Sequence, residues 1–178
     1  MDLTDVIDFW FGELGPKDWF SKDDRIDAAI VQRFALVHRA AAGGELWSWR
    51  SVALGALAEI IVLDQFPRNI FRDDPRAFGT DSMALVLAQE ALRRSLDRDL
   101  SAPQRSFMYM PFMHSESKVI HDTAITLFSQ PGLEENLKFE LDHKAIIDRF
   151  GRYPHRNRIL GRASTPDEVE FLRTAPRF

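Results

Sequence analysis

The chain has 178 residues, of which 45% are apolar and 28% charged, with a formal net charge of −4 and a pI near 5.7. That length supports one hydrophobic core and a single domain over residues 1–178, and the acidic balance argues against a general nucleic-acid binder. There is no cysteine, which excludes disulfides, thiolate zinc sites, iron–sulfur clusters and cysteine nucleophiles together and suits a reducing cytoplasm. The start, Met1-Asp2-Leu3-Thr4-Asp5-Val6, lacks the basic stretch of a signal peptide. The most apolar run, residues 52–63, is interrupted by Glu59 and is too short to span a bilayer. The expectation is a cytoplasmic protein with neither a membrane nor a nucleic acid as partner.

In chain order the periodicity is helical, and no run of alternating β-branched residues competes with it. Residues 5–11 form a short first helix. Ser21-Lys22-Asp23-Asp24 resembles a capping-box start for a helix to about Ala40, with Ile26, Ile30, Phe34 and Val37 on one stripe and Gly43-Gly44 ending it. Ser51 caps a third helix, residues 52–66, which Pro67 terminates because it cannot continue the hydrogen-bond ladder. Thr80 caps a fourth helix to about Leu96. Ser101-Ala102-Pro103 opens a fifth, broken or kinked at Pro111, and a helix from about Ser115 to Phe128 follows. Pro131-Gly132 is a turn, residues 134–150 are a further amphipathic helix, and Thr165-Pro166-Asp167-Glu168 starts a last short one. No linker, low-complexity segment or 34-residue repeat is visible. The pattern predicts an all-α fold of consecutive antiparallel helices.

Three places put polar groups where this pattern wants carbon. The third helix is apolar almost all round, so it is central and buried, yet it carries Glu59, Asp64 and Gln65. A buried carboxylate at the negative end of a helix needs a cation, and Pro67-Arg68-Asn69-Ile70-Phe71-Arg72 supplies two guanidiniums directly. Next, Glu116 falls four residues before Ile120 on the stripe Ile120, Ala124, Leu127. The methionines and aromatics around His114 read as core filling, and His38 and His121 as surface or packed histidines.

The third place is the most informative. Residues 149–162 hold five arginines and His155 with no acid, punctuated by Gly151, Pro154 and Gly161, so they form a shaped turn rather than a solvated tail. Clustered guanidiniums on a fixed backbone suit either an anion site or a buried ion-pair network in which Asp64, Glu116 and Glu59 neutralise them. No phosphate-binding loop, dinucleotide fingerprint, nucleophile elbow or zinc-protease motif is present, and no two histidines stand four apart, so neither a cofactor nor a metal is expected.

The strings Leu63-Asp64-Gln65-Phe66-Pro67-Arg68-Asn69, Met110-Pro111-Phe112-Met113-His114-Ser115-Glu116 and Phe150-Gly151-Arg152-Tyr153-Pro154-His155-Arg156-Asn157, with Leu160-Gly161-Arg162 and Ser164-Thr165, resemble the bacterial "domain of unknown function 924" family over essentially the whole chain. The resemblance implies antiparallel helix pairs stacked as a tetratricopeptide-like right-handed superhelix. It implies no activity.

Two functions fit. In the first, a cleft forms where the end of the third helix, the Pro111 region and the arginine turn meet, and it takes a small carboxylate or phosphate. Arg68, Asn69, Arg152, Arg156, Asn157, Arg162 and Gln65 are the candidate binding residues; His155 or His114 is the acid or base, oriented by Asp64 or Glu116. In the second, a non-enzymatic helical-repeat scaffold binds a peptide or protein, and the polar cluster only braces it.

Overall fold

A computed structural model describes residues 2–174, and among them every regular element is helical, with no strand. The α-helices are α1 (Leu3–Asp8), α2 (Asp24–Ala42), α3 (Ala53–Asp64), α4 (Phe66–Ile70), α5 (Asp81–Arg93), α6 (Ala102–Met113), α7 (Lys118–Phe128), α8 (Glu134–Phe150) and α9 (Pro166–Thr174). A π-helical turn extends α1 through Phe9–Glu13, and short 3-10 turns such as Trp47–Ser51 join several of the others.

Local chemistry sets most of these boundaries. Asp2 and Asp5 form a capping box on α1, Asp23 accepts the Arg25 amide at the start of α2, and Ser101 with Gln104 boxes the start of α6. Gly151 ends α8 in the left-handed region at φ +69°, a conformation that costs glycine nothing.

Helix α3 is the axis of the core. Every residue from Gly55 to Asp64 is buried, and the helix packs against α1, α2, α5 and α6. Around it Phe9, Trp10, Phe34, Phe66 and Phe107 meet ring to ring in tilted and edge-on pairs, each contributing about 0.5–1.5 kcal/mol beyond its buried area. Gly55 lets the Trp47–Ser51 turn lie directly on α3: a Cβ there would stand 2.0 Å from the Trp49 carbonyl oxygen. No helix in the described residues is long and apolar enough to cross a membrane.

Four local expectations are corrected. Helix α3 begins after Val52 and ends at Asp64; Ser51 belongs to the preceding turn and makes no cap, its hydroxyl donating to the Ser48 carbonyl. Pro67 does not stop a long helix but sits in the first turn of α4, where its missing N–H is no loss. Pro111 does not break α6, which runs through it to Met113; only one ladder bond is forfeited, and residues 106–113 are all buried. Helix α7 starts at Lys118 and turns His121, Ala124 and Phe128 inward, so Ile120 and Leu127 lie at the edge of the stripe and Glu116 lies in the loop before the helix.

Candidate functional site

The site begins with the carboxylate that ends α3. Asp64 has no exposed side-chain surface, and four residues later α4 returns Arg68 to it. The Arg68 guanidinium donates to the Asp64 carbonyl oxygen and lies 3.7 Å from its carboxylate. Gln65 donates its amide to Oδ2, which keeps Gln65 buried behind Asp64. Arg72 and Asn69, the next polar groups of that segment, turn the other way and clasp Asp27 on α2 at 2.6 and 2.7 Å.

From the far side comes His114, the residue after α6. Its Nδ1 stands 2.9 Å from Oδ1 and 3.0 Å from Oδ2 of Asp64. Burial alone would raise the Asp64 carboxyl, but the His114 ring and the Arg68 guanidinium outweigh it and hold the group ionised. Burial also pushes His114 below the usual histidine range, and Asp64 opposes this without reversing it. At neutral pH the pair is therefore a carboxylate accepting Nδ1–H from a neutral imidazole, which leaves the lone pair on Nε2. Among the described residues Nε2 has no hydrogen-bond partner, and His114 lines a cleft of about 330 Å³.

Asp81, Ser82, Ser115, Glu116 and Arg156 supply the other polar groups of that cleft, and Phe78, Leu85, Pro111 and Leu160 much of its apolar surface. Asp81 opens α5 and is bracketed by two arginines: Arg68 grips it at 3.0 and 3.1 Å, and Arg156 reaches it at 3.3 Å. The Arg156 guanidinium lies over Phe78 and Tyr153, 4.6 and 4.7 Å from the ring centroids, and donates to the His114 carbonyl oxygen. Arg156 is 7% exposed, and its Nε is buried with no partner among the described residues. Burial and the nearby Arg68 lower its pKa, so this cation is incompletely compensated.

The rest of the arginine turn is committed elsewhere. Arg152 pairs with Glu168 of α9 at 2.6 and 2.8 Å and donates to the Ala163 carbonyl. Arg162 forks onto Glu116 at 2.6 and 2.9 Å, and the Tyr153 amide completes that carboxylate's partners. Asn157 is buried between Arg162, Ser164 and Glu168. His155 is exposed, its ring 5.4 Å from that of Tyr153, and it does not line the cleft. Of the candidates, His114, Glu116 and Arg156 thus line the cleft, while Asp64 and Arg68 stand behind it, bonded to His114 and Asp81.

The carboxylates divide in part as the sequence suggested. Asp64 answers Arg68 at the helix end and Glu116 answers the arginine turn, but Glu59 is held at 2.6 and 2.7 Å by Arg50, from the turn just before α3. Asp81 and Glu168 complete the charge balance. In the sequence Asp81 read only as an acid in a first helical turn, and Glu168 only as the acid of a capping box with Thr165, a contact it keeps in the fold. Among the described residues no group of three histidines, aspartates or glutamates is arranged to hold a metal.

A solved structure of a protein of unknown function from Agrobacterium tumefaciens, ATU0120, superimposes with a TM-score of 0.91 at 42% identity, covering 96% of each chain. No curated protein matches the chain. Residues 6–175 match the family described as bacterial proteins of unknown function, DUF924, and with a match over nearly all its length the chain belongs to that family.

Proposed function

We propose that the cleft between α5, the end of α6 and the arginine turn binds a small organic molecule carrying a carboxylate or phosphate, and that His114 acts on it as a general base. The observation that carries this reading is the His114 ring itself. Nδ1 is fastened to a fully buried carboxylate while the residue lines a cleft shared with Arg156. A buried acid that fixes the tautomer and presents a basic Nε2 is what proton abstraction from a water, hydroxyl or acidic C–H requires. Arg156 provides the cation for the ligand's acidic group, and the volume suits a metabolite-sized ligand.

The test is a thermal-shift screen of carboxylates and phosphates on protein purified without phosphate or sulfate. A compound at about a hundred times its dissociation constant stabilises by roughly 2.7 kcal/mol. We expect a subset to raise the Tm of the wild type and not of Arg156→Ala, with His114→Gln still binding but converting nothing. A screen flat across both classes rejects the reading.

The bracing role belongs to Arg152 and Arg162, whose donors are engaged by Glu168 and Glu116. That part of the scaffold alternative is compatible with a ligand at the cleft.

A further inference from the structure

One fully buried imidazole backs the cleft wall made by His114, Ser115 and Glu116. His121 of α7 places Nδ1 2.6 Å from Oε1 of Glu140 on α8, and Nε2 2.8 Å from the Ser115 carbonyl oxygen and 3.2 Å from the Tyr153 hydroxyl. The Tyr153 hydroxyl donates to the Met113 carbonyl at 2.5 Å. Both His121 and Glu140 are 0% exposed. The end of α6, both following helices and the arginine turn all meet on this ring.

Proton accounting on these contacts is restrictive. A carbonyl oxygen only accepts, and the Tyr153 proton is committed to Met113, so Nε2 must be protonated. The Nδ1–Oε1 contact also needs one proton, since an imidazole lone pair facing a carboxylate oxygen would oppose two acceptors. A second proton has nowhere to donate: Oε2 of Glu140 is buried with no partner among the described residues. That orphaned oxygen favours the neutral form, imidazole with carboxylic acid, because an unpartnered carboxylate oxygen costs more than an unpartnered carbonyl. Burial raises the Glu140 carboxyl in the same direction.

The surrounding charges have partners of their own. Lys144 of α8 bonds Asp122 and Asp148, and Lys118 of α7 bonds the Asp148 carbonyl. At the end of α6, His114 bonds Asp64 and Glu116 bonds Arg162. The Arg156 guanidinium and the rings of His143 and His155 lie against Tyr153.

We infer that His121 and Glu140 form a one-proton latch, which fixes the His114–Ser115–Glu116 wall and releases it when that proton is lost at alkaline pH. The consequence for ligand binding rests on the function proposed above; the latch does not. With ordinary values near 4.5 for Glu and about 6.5 for His, the unfolded chain holds one proton on these two groups between those pH values, as the latch does. Above about 6.5 the unfolded chain gives its proton up and the latch keeps it, so the folding constant falls tenfold per pH unit until the latch itself deprotonates. Below 4.5 the unfolded chain takes a second proton that the latch cannot accept.

Glu140→Gln tests this, because an amide N–H can donate to Nδ1 as the carboxylic acid does but cannot ionise. In denaturant titrations at pH 6, 7, 8 and 9, we expect the ratio of wild-type to Glu140→Gln folding constants to fall about tenfold per unit from pH 7 upward. An unchanging ratio overturns the latch. Should the variant not fold, ¹⁵N spectra of the wild-type His121 ring decide: Nε2 protonated at neutral pH, with the ring changing along the alkaline limb, supports it, and an unprotonated Nε2 at pH 7 overturns it. A flat ligand screen with a falling ratio rejects only the proposed function; a positive screen with a constant ratio rejects only the latch.

Discussion

Nδ1 of His114 lies 2.9 and 3.0 Å from the two carboxylate oxygens of Asp64, fifty positions earlier in the chain. The contact joins the end of the central helix to the loop after α6, and it sets which ring nitrogen of His114 is basic. Because Asp64 also accepts from Gln65 and Arg68, the acid is a structural anchor as much as a chemical one.

Asp64→Ala should therefore destabilise by roughly 3–5 kcal/mol, since it leaves Arg68 without its buried counter-charge and the His114 N–H without its acceptor. Denaturant midpoints measure this, and a midpoint within error of wild type would contradict the burial of the pair.

Arg152 and Arg156 should separate. Arg152→Ala breaks the fork onto Glu168, a residue only 2% exposed, and should cost about 1–3 kcal/mol by leaving those acceptors short of donors. It should leave any anion-induced thermal shift intact. Arg156→Lys keeps the charge but loses the flat guanidinium between Phe78 and Tyr153, so the same shift should shrink. Equal effects of the two substitutions on ligand response would remove Arg156 from the site.

Gly55→Ala is expected to be among the most damaging single-methyl additions to this chain. The new Cβ would meet the backbone of Trp49, which cannot swing aside as a side chain can. A loss of roughly 1–3 kcal/mol is expected from such overpacking, read from the thermal midpoint; tolerance would mean that the Trp47–Ser51 turn is not seated on α3.

Acid sensitivity should trace partly to His143. Burial lowers its pKa to about 4, below the value of about 6.5 for an unfolded histidine. The folded-state pKa is depressed, so the stability this group contributes is present above pH 6.5 and is lost as pH falls towards 4, by up to about 1.4 kcal/mol per unit. His143→Leu should flatten that part of the stability–pH curve; an unchanged slope would show that His143 is solvated.

The helical class and several element boundaries were legible in the sequence because they depend on local chemistry. The cap at Ser101, the stripe of Ile30, Phe34 and Val37, and the glycine after Phe150 act within a turn or two of chain; the box expected on Ser21 was misplaced, since Asp23 is the cap of α2 and the Ser21 hydroxyl donates to the Asp18 carbonyl. The need for partners was legible too: a carboxylate at the end of an apolar helix must be answered, and Arg68 four residues on was the nearest cation. The proline at 111 is an exception: its local cost suggests a break, yet α6 continues through it with residues 106–113 all buried.

Which charge meets which was decided by tertiary structure alone. Glu59 could have met the arginine turn but meets Arg50; Arg152 could have faced a ligand but faces Glu168. Coulomb attraction is indifferent to sequence distance, so composition can require a counter-charge without naming it. Directional hydrogen bonds and the packing of α5 and α9 choose it. The same holds for His121, whose role as a buried proton holder follows from three oxygens brought to one ring by three separate segments. In the sequence it was only a surface or packed histidine, because a proton's place is determined by which donors and acceptors the fold sets opposite one another.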